Sequence, residues 1–409
     1  MAPPTVTTRN AFLPYALPDI GEEEIDEVVE TLRSGWITTG PKTAEFERLT
    51  AAYTGARHAV AVNSCTGALH IALAALGVQS GDEVITSPLT FCSTANVVVH
   101  LGGKPVLADV GEDFNIDPAE VERRITPRTK VLLPVHYGGQ PCRMDAIMDC
   151  ARRHGLSVVE DAAHAIGARY GDTMIGTIGD VTAFSFYAIK NLTTAEGGMA
   201  TTDRDDLAEK MRLLSLHGIS KDAWKRYTSE GSWYYEVLFA GFKYNMTDIQ
   251  AALGIHQLAK LERFIETRGR YAAMYDAAFG DLPEITIPRV NEGLRHAWHL
   301  YVIQLNLEHL TLNRAEFIEA LRAENIGTSV HFIPVHLHPY YRERFGYRRG
   351  DYPRAEAIYD RIVSLPLYPK MTPDDVQYVI ATVRRVVSDH RKRVWSHGQA
   401  AVRSRPGSH

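Results

Sequence analysis

The chain has 409 residues, of which 45% are hydrophobic and 23% charged, a composition that excludes a fibrous or disordered protein. Its 44 basic and 49 acidic residues give a formal net charge of -5, so nothing indicates a nucleic-acid-binding surface. No apolar run approaches membrane-spanning length, no export signal opens the chain, and the cysteines lack disulfide or metal spacing. We therefore expect a cytoplasmic protein of two domains, with no membrane and no nucleic acid among its partners.

From the N-terminus onward, the predicted elements come to alternate between strand and helix. Residues 1–12 are polar and contain proline, so we expect a flexible arm. An amphipathic helix at 22–33, a loop of turn formers and hydroxyl residues at 35–41 and a helix at 42–53 follow. Further helices are predicted at 67–77, 92–102, 143–154 and 204–216, and strands at 58–62, 83–87, 105–109, 130–135, 156–160, 181–187 and 198–202. This alternation is typical of a mostly parallel sheet with helices on both faces.

A long helix predicted over 246–279 ends the large domain, which we place at 13–280. Thr247 or Asp248 is its expected N-cap, and Gly280 its stop. Beyond it, a smaller α+β domain is predicted over 281–394, from strand 299–305, helix 314–324, strand 329–333 and helix 373–391. The tail at 395–409 is basic and contains glycine and serine, so we expect it to be disordered.

Lys190 follows the apolar strand predicted at 181–187, and it is the first candidate for a functional residue. Burial there would remove solvation from the Lys190 ammonium, lower its pKa and make a neutral amine available. Such an amine can bond to the aldehyde of pyridoxal 5'-phosphate (PLP), and Ser185 could bind the phosphate of this cofactor. The alternative is a surface lysine that ends the strand. That alternative fails only if other parts of a cofactor site occur elsewhere in the chain.

A candidate phosphate site lies at 63–68, where the first strand passes into a helix. The free N–H groups and partial positive charge of a helix N-terminus suit a phosphate. Thr66 adds a hydroxyl, and Gly67 lets an anion approach the backbone. The alternative is that a hydroxyl residue here only caps the helix.

Two further candidates stand at other strand ends. Asp161 follows the strand at 156–160, at the edge where α/β proteins bind ligands, and its carboxylate would keep a pyridine nitrogen protonated. A helix N-cap is the alternative for Asp161, and Glu160 is the competing acid, although alternation turns neighbouring side chains to opposite faces. Phe91 could stack on a flat cofactor ring, with burial in the core as the alternative.

Together these residues resemble one known family. The chain is similar to the DegT-like nucleotide-sugar aminotransferases, which are fold-type I PLP enzymes. The resemblance covers most of the chain and is carried by the loop at 35–41, Glu-Asp-Ala-Ala-His-Ala at 160–165, Ser185 with Lys190, Glu-Gly-Gly at 196–198 and Gly-Phe-Lys-Tyr-Asn-Met-Thr-Asp-Ile-Gln at 241–250. It implies an α/β fold with a large PLP-binding domain and a smaller C-terminal α+β domain.

The resemblance also implies cofactor-binding roles. Lys190 would bond to PLP as a Schiff base and then shuttle protons, while Asp161 would pair with the pyridine nitrogen. His164 stands near the phenolic oxygen of the cofactor, where many relatives carry glutamine. Phe91 would stack on the ring, and the phosphate would be bound by Thr66, Gly67 and Ser185.

A homodimer with shared active sites is implied by the segment that contains Lys243 and Asn245. In relatives this segment reaches into the pocket of the partner subunit, where many carry asparagine and then arginine at these two positions. Either residue is therefore a candidate for the phosphate contact, with Asn245 counted among the cofactor-binding residues and Lys243 among the substrate-binding ones. Trp36 and Thr38, in the loop at 35–41, are further candidates for substrate binding.

Two histidine-rich stretches, at 296–299 and 331–338, contain residue types that bind metals. The resemblance places both near the substrate instead. His331 is the best candidate for a contact with the sugar or the diphosphate, and a structural histidine is the alternative. We expect no metal.

The implied activity is transfer of an amino group from L-glutamate to a keto sugar linked to a nucleoside diphosphate. The segments at 186–194 and 233–245 are most similar to relatives that aminate C4 of a 4-keto-6-deoxy sugar. The alternatives are a 3-keto sugar, a keto cyclitol, or a non-catalytic regulator of the same fold, against which Lys190 argues.

Overall fold

The protein is described by a computed structural model over residues 9–220 and 234–392. The helices are α1 Glu22–Ser34, α2 Pro41–Thr54, α3 Cys65–Ala75, α4 Cys92–His100, α5 Pro118–Arg124, α6 Met144–His154, α7 Asp205–Ser215, α8 Asp248–Phe279, α9 Arg314–Ala323, α10 Pro339–Phe345, α11 Pro353–Tyr359 and α12 Pro373–Asp389. The strands are β1 His58–Val62, β2 Glu83–Thr86, β3 Lys104–Leu107, β4 Thr129–Leu133, β5 Ser157–Asp161, β6 Arg169–Tyr170, β7 Thr173–Met174, β8 Val181–Ser185, β9 Gly198–Thr202, β10 Ile285–Thr286, β11 Leu294–Arg295, β12 Tyr301–Leu305 and β13 Ile362–Leu365.

The main sheet has seven strands in the order β1-β9-β8-β5-β4-β2-β3. β9 is antiparallel to β1 and β8, and the remaining pairs are parallel. Buried apolar clusters lie on both faces of the sheet, which is why its strands read as continuous apolar runs. The predicted large α/β sheet is confirmed, and the strand ends differ from the prediction by at most two residues.

Helix α8 has 32 residues and a length of about 48 Å. The side chain of Thr247 accepts a hydrogen bond from the backbone N–H of Gln250, so Thr247 is the N-cap and Gly280 follows the last turn. The first half of α8 packs on α1 and α2, and its second half packs on α12. Within the described ranges no helix is long and apolar enough to cross a membrane.

Asp248 was the second candidate for this N-cap, and it caps another helix instead. Its carboxylate is fully buried and accepts hydrogen bonds from the backbone N–H groups of Gly40 at 2.7 Å, Lys42 at 3.0 Å and Thr43 at 2.9 Å. These donors belong to the first turn of α2, where a negative charge is favourable. The loop at 35–40 is thereby tied to the start of α8.

The C-terminal part contains a three-stranded antiparallel sheet in the order β10-β12-β13. The sheet, α9, α12 and the end of α8 enclose a second apolar core, to which Phe317, Tyr301 and Val383 contribute fully buried side chains. The N-terminal segment reaches this core, since Leu13 is buried in it and Arg9 forms an ion pair with Asp375.

The strand predicted over 329–333 is wrong. This segment keeps a single bridge, between Ser329 and Ser364, and the third strand of the sheet is β13 instead. The reason is burial, because all four residues of β13 are buried whereas Ile333 is 44% exposed. The predicted disorder at 395–409, most of the predicted arm at 1–12, and Trp233 lie outside the described residues, and the domain boundaries stay predictions.

Gly254 provides a test of the packing between α8 and α2. A Cβ atom at this position would lie 2.6 Å from Cζ of Phe46, which is fully buried. Replacing a helical glycine by alanine is ordinarily favourable, but Gly254→Ala should destabilise the protein by about 1–3 kcal/mol through overpacking. Urea unfolding followed by circular dichroism measures this change.

The matched control is Gly269→Ala in the same helix, where an added Cβ atom would have Cδ1 of Trp298 as its nearest neighbour, at 3.6 Å. This variant should be neutral or more stable, by up to about 1 kcal/mol. Equal effects of the two substitutions would contradict the close contact at Phe46.

Candidate active site

A cavity of about 460 Å³ opens at the carboxyl edge of the main sheet. β1, β2, β5 and β8 run in the same direction, so the segments that follow them converge there. Many of the predicted site residues line this cavity, namely Thr66, Phe91, Asp161, His164, Ser185, Lys190 and His331. The structure therefore brings together residues that are up to 265 positions apart in the chain.

Lys190 lies in a turn after β8, in which its backbone N–H donates to the carbonyl oxygen of Tyr187 at 2.9 Å. Burial of the ammonium lowers its pKa to about 8, and the acidic groups of Cys65 and Asp161 oppose this shift in part. The surface-lysine alternative is therefore wrong. A lysine with this pKa has a substantial neutral fraction near pH 8, as an amine nucleophile requires.

Asp161 ends β5 and is almost fully buried. The hydroxyl of Thr94 donates to its Oδ2 at 2.7 Å, and the backbone N–H of Ala163 donates to its Oδ1 at 3.1 Å. Burial raises the pKa of Asp161, while the two hydrogen bonds and the Lys190 charge oppose that rise. No helix begins after this residue, so the helix N-cap alternative is wrong.

Glu160 turns to the opposite face of the sheet, as the alternation of a strand predicts. Its carboxylate lies 2.9 Å from Nε2 of His136 and accepts hydrogen bonds from the Thr182 hydroxyl at 2.8 Å and the Gly179 N–H at 2.7 Å. All its partners lie away from the cavity lining. Of these two neighbouring acids, Asp161 is the one that faces the cavity.

At the start of α3, one residue caps the helix and another lines the cavity. Ser64 is the cap, because its hydroxyl accepts the N–H of Gly67 at 3.0 Å. Gly67 itself is absent from the cavity lining, and a Cβ there would lie 3.3 Å from Cγ of Tyr244. Its small size therefore serves packing. Thr66 and Ser185 both remain at the cavity, where a phosphate could meet their hydroxyls and the helix terminus.

Three histidines line the cavity: His164, His299 and His331. Burial lowers the pKa of all three, to about 4 for His331 and well below the ordinary value for the other two, so the rings are neutral at pH 7. His299 was not among the predicted site residues, although it lies in the histidine-rich stretch at 296–299. The sequence pattern could not distinguish His299 from His296 in the same stretch, and His296 lines a separate cavity.

Phe91 and Phe332 lie at the mouth of the cavity, with ring centroids 6.1 Å apart. Phe91 is 59% exposed, so the core alternative is wrong for this residue. The exposed ring is free to contact a flat group bound next to it.

Four predicted residues lie outside the cavity, in a surface cluster that we call the Asn245 patch: Trp36, Thr38, Lys243 and Asn245. The side chain of Asn245 donates to Oγ1 of Thr39 at 2.7 Å and accepts a hydrogen bond from Lys243. Trp36 donates from its indole N–H to the carbonyl oxygen of Thr39 at 3.1 Å.

Two further groups lie elsewhere. Arg169 pairs in the small sheet β11-β6-β7, away from the cavity. Among the described residues, one group has three metal-ligating side chains close together, formed by Glu122, Cys150 and His154 on α5 and α6. Glu122 is already engaged in an ion pair with Arg153 at 2.7 Å, and the group lies outside the cavity.

A desolvated lysine and a buried carboxylate at the carboxyl edge of an α/β sheet, beside the N-terminus of a helix, are the groups that a PLP-dependent transferase needs. The chain belongs to the DegT/DnrJ/EryC1/StrS aminotransferase family, which it matches over residues 18–384. Its relatives include a spore coat polysaccharide biosynthesis protein, SpsC, of Bacillus subtilis, which is 58% identical over 384 residues, or 93% of this chain and 99% of SpsC.

Solved structures agree with this membership. Spr1654 of Streptococcus pneumoniae, assigned as a sugar aminotransferase, is 36% identical with a TM-score of 0.87, over 92% of this chain and 99% of that one. Helicobacter pylori PseC, an aminotransferase involved in pseudoaminic acid biosynthesis, is 30% identical with a TM-score of 0.86, over 93% of this chain and 100% of that one. Spr1654 has been solved in both PLP and PMP forms. The protein is a sugar aminotransferase that uses PLP, and its residues fit that cofactor.

Lys190 is the predicted site of covalent attachment to PLP, since it is the one lysine that lines the cavity in the described residues. Borohydride reduction of the holoenzyme, followed by peptide mapping, should place the pyridoxyl group on Lys190. In the cofactor-free protein, acylation of Lys190 should have its midpoint near pH 8, because burial disfavours the charged amine.

An adduct on any other lysine would contradict this assignment. The control is Lys210, whose amine donates to the carbonyl oxygen of Ala75 outside the cavity and which should carry no pyridoxyl group. Lys190→Ala should still bind PLP non-covalently and lose transamination.

Proposed function

We propose that the enzyme transfers an amino group from L-glutamate to a nucleotide-linked 4-keto-6-deoxy sugar, at C4. The observation that carries the proposal is the cavity around Lys190, in which a low-pKa amine and a buried carboxylate are surrounded by neutral imidazoles and hydroxyls. Neutral donors and acceptors suit the hydroxyl and keto groups of a sugar. PLP, when bound, supplies the electron sink that an amino-group transfer needs.

The residues of the cavity take the following roles in this proposal. Lys190 would attach the cofactor and move the proton at the reacting carbon, while Asp161 would keep the pyridine nitrogen protonated. Thr66 and Ser185 would bind the phosphate at the start of α3, and Phe91 would contact the ring. His164 would donate to the phenolic oxygen, in agreement with its ring nitrogen Nδ1 accepting the N–H of Gly138 at 3.2 Å.

Asp161→Asn tests the electrostatic role of the carboxylate. The amide keeps the size and removes the charge, so the pyridine nitrogen would lose its proton and turnover should fall at least ~10²-fold. The control is Glu160→Gln on the opposite face, which should lower the melting temperature through its broken hydrogen bonds and affect turnover far less. Near-normal turnover of Asp161→Asn would move the role to another residue.

A homodimer with shared active sites forms the second part of the proposal. Lys190 is the only cationic side chain among the described residues that line the cavity, and in the holoenzyme it would be bonded to the cofactor. A phosphate of PLP and a diphosphate of the substrate need further positive charge. The Asn245 patch holds Lys243 on the surface, and a second copy of the chain would bring it to the cavity.

Exposed apolar side chains support an interface between two copies. Ile37 is 49% exposed and Tyr187, at the cavity, 46%. Tyr234, Val237 and Leu238, which lead into the Asn245 patch, are each more than half exposed. Such a concentration of exposed apolar groups is typical of a surface that another protein covers.

Mixing two inactive proteins tests the sharing of sites. Lys190→Ala and the double variant Lys243→Ala/Asn245→Ala should each be impaired, and mixed dimers should regain activity in one of their two sites. Exchange of subunits is verified with differently tagged chains. Absence of activity above that of the parents in verified mixed dimers would contradict shared sites.

The choice of sugar rests on the resemblance of 186–194 and 233–245 to relatives that aminate C4, and on SpsC being named for polysaccharide biosynthesis. We infer that thymidine or uridine diphosphate carries the sugar, and that Lys243 and His331 contact the diphosphate. His331 is neutral, so it would serve as a hydrogen-bonding group rather than as a cation. Arg169, whose strand pairs in the small sheet β11-β6-β7, does not line the cavity, so we assign it no contact with the diphosphate.

Product analysis tests the substrate. The enzyme is incubated with L-glutamate and with 3-keto and 4-keto nucleotide sugars, and NMR locates the new amine. Amination at C4 alone is the expected result. A product aminated only at C3, or turnover of a free keto cyclitol without turnover of any nucleotide sugar, would overturn the assignment.

A further inference from the structure

Two neighbouring imidazoles in the cavity have opposite hydrogen-bonding partners at Nδ1. The rings of His164 and His299 have centroids 4.4 Å apart, and both residues are nearly inaccessible to solvent. Nδ1 of His164 lies 3.2 Å from the backbone N–H of Gly138, and Nδ1 of His299 lies 3.1 Å from Oδ1 of Asn191. A backbone N–H can only donate, so a neutral His164 carries its proton on Nε2.

Asn191 fixes the opposite arrangement at His299. Its Nδ2 donates to the carbonyl oxygen of Ala297 at 2.6 Å, and a carbonyl oxygen can only accept. The orientation of the buried amide is therefore determined, and Oδ1 is the atom that remains for His299. Because Oδ1 only accepts, Nδ1 of His299 must donate. The ring edge that His299 leaves for the cavity then carries an unprotonated Nε2.

The surroundings keep this ring neutral. The charged or titratable groups that act on His299 are His164, Lys190, Arg268 and His331, and each of them disfavours a second proton. Arg268 is fully buried and donates to the carbonyl oxygens of His299 at 3.3 Å and Leu367 at 2.5 Å. Its guanidinium therefore holds the backbone of His299 in place, and its positive charge disfavours protonation of the His299 ring.

We infer that Asn191 holds His299 as its Nδ1–H tautomer, so that the imidazole presents an unprotonated Nε2 as a hydrogen-bond acceptor to the cavity that Lys190 also lines. Asn191 is thus a positioning residue, which acts on the cavity through His299. His164 and His299 present one donor and one acceptor side by side. The role in turnover rests on the proposed function, whereas the tautomer needs neither cofactor nor substrate.

The tautomers can be measured directly in the cofactor-free protein. Long-range ¹H–¹⁵N NMR of protein labelled at its 17 histidines separates Nδ1–H, Nε2–H and doubly protonated rings. His299→Gln and His164→Gln assign the two signals by their loss. His299 should show the Nδ1–H pattern at pH 7.5, and His164 the Nε2–H pattern. An Nε2–H or doubly protonated His299 in the unmodified protein would overturn the inference, whatever the variants do.

Variants of Asn191 test the cause. Asn191→Leu removes the acceptor and should shift His299 toward the Nε2–H tautomer, whereas Asn191→Asp keeps an acceptor oxygen and should retain the Nδ1–H tautomer. His336→Gln is the matched control, because His336 is as buried as His299 and bonds to Glu356 at 2.9 Å outside the cavity. It should lower the melting temperature and leave the His299 signal unchanged. An unaltered tautomer in a folded Asn191→Leu protein would contradict the role of Asn191.

The split between kcat and KM separates positioning from simple packing. In the Asn191→Leu holoenzyme, kcat should fall roughly tenfold with little change in KM, whereas Asn191→Asp, which keeps an acceptor oxygen, should lose much less. Equal losses of kcat in the two folded variants would refute positioning through the tautomer. A protein that shows the Nδ1–H signal and yet aminates no nucleotide sugar would refute the proposed function alone.

Discussion

The desolvation of the Lys190 amine is the constraint on which the site depends. A lysine in water would be charged at pH 7 and would not attack an aldehyde. Burial at the carboxyl edge of β8 brings its pKa to about 8. The same burial makes His164, His299 and His331 neutral, so one physical cause sets the protonation of every nitrogen base around the reacting centre. This cause exists only because the strands of the main sheet are apolar enough to be covered on both faces.

Such a cavity is short of positive charge, and this shortage has a consequence for assembly. Desolvation makes imidazoles neutral, so they cannot replace the cations that phosphate groups require. The N-terminus of α3 offers only a partial charge. The Lys243 side chain, which stays partly exposed on the Asn245 patch, escapes most of this desolvation. The two-subunit site that we propose would therefore combine a desolvated amine with more solvated cations for the phosphates.

Much of the fold was predictable because its elements are set by local patterns. The seven main strands are short apolar runs between turn residues, and Thr247 caps α8 with its own side chain. The prediction of a strand at 329–333 was wrong. Its residues have strand propensity, but the backbone leaves the sheet after Ser329, and His331 and Phe332 line the cavity. Asp248 shows the same limit, since its capping partners in α2 are more than 200 positions away in the chain.

The site was predictable at the strand ends and less so elsewhere. Lys190, Asp161 and Thr66 could be found because parallel strands bring their carboxyl ends to one edge. For Gly67 the sequence predicts a close approach of the phosphate, and the structure adds two features that the sequence does not show: its N–H is bonded to Ser64, and an added Cβ atom would lie 3.2 Å from Asn63 and 3.3 Å from Tyr244. The direction of a hydrogen bond is harder still to predict, because it follows from which groups can only donate or only accept. The opposite tautomers of His164 and His299 therefore depend on Gly138 and Ala297, two residues whose side chains carry no polar group.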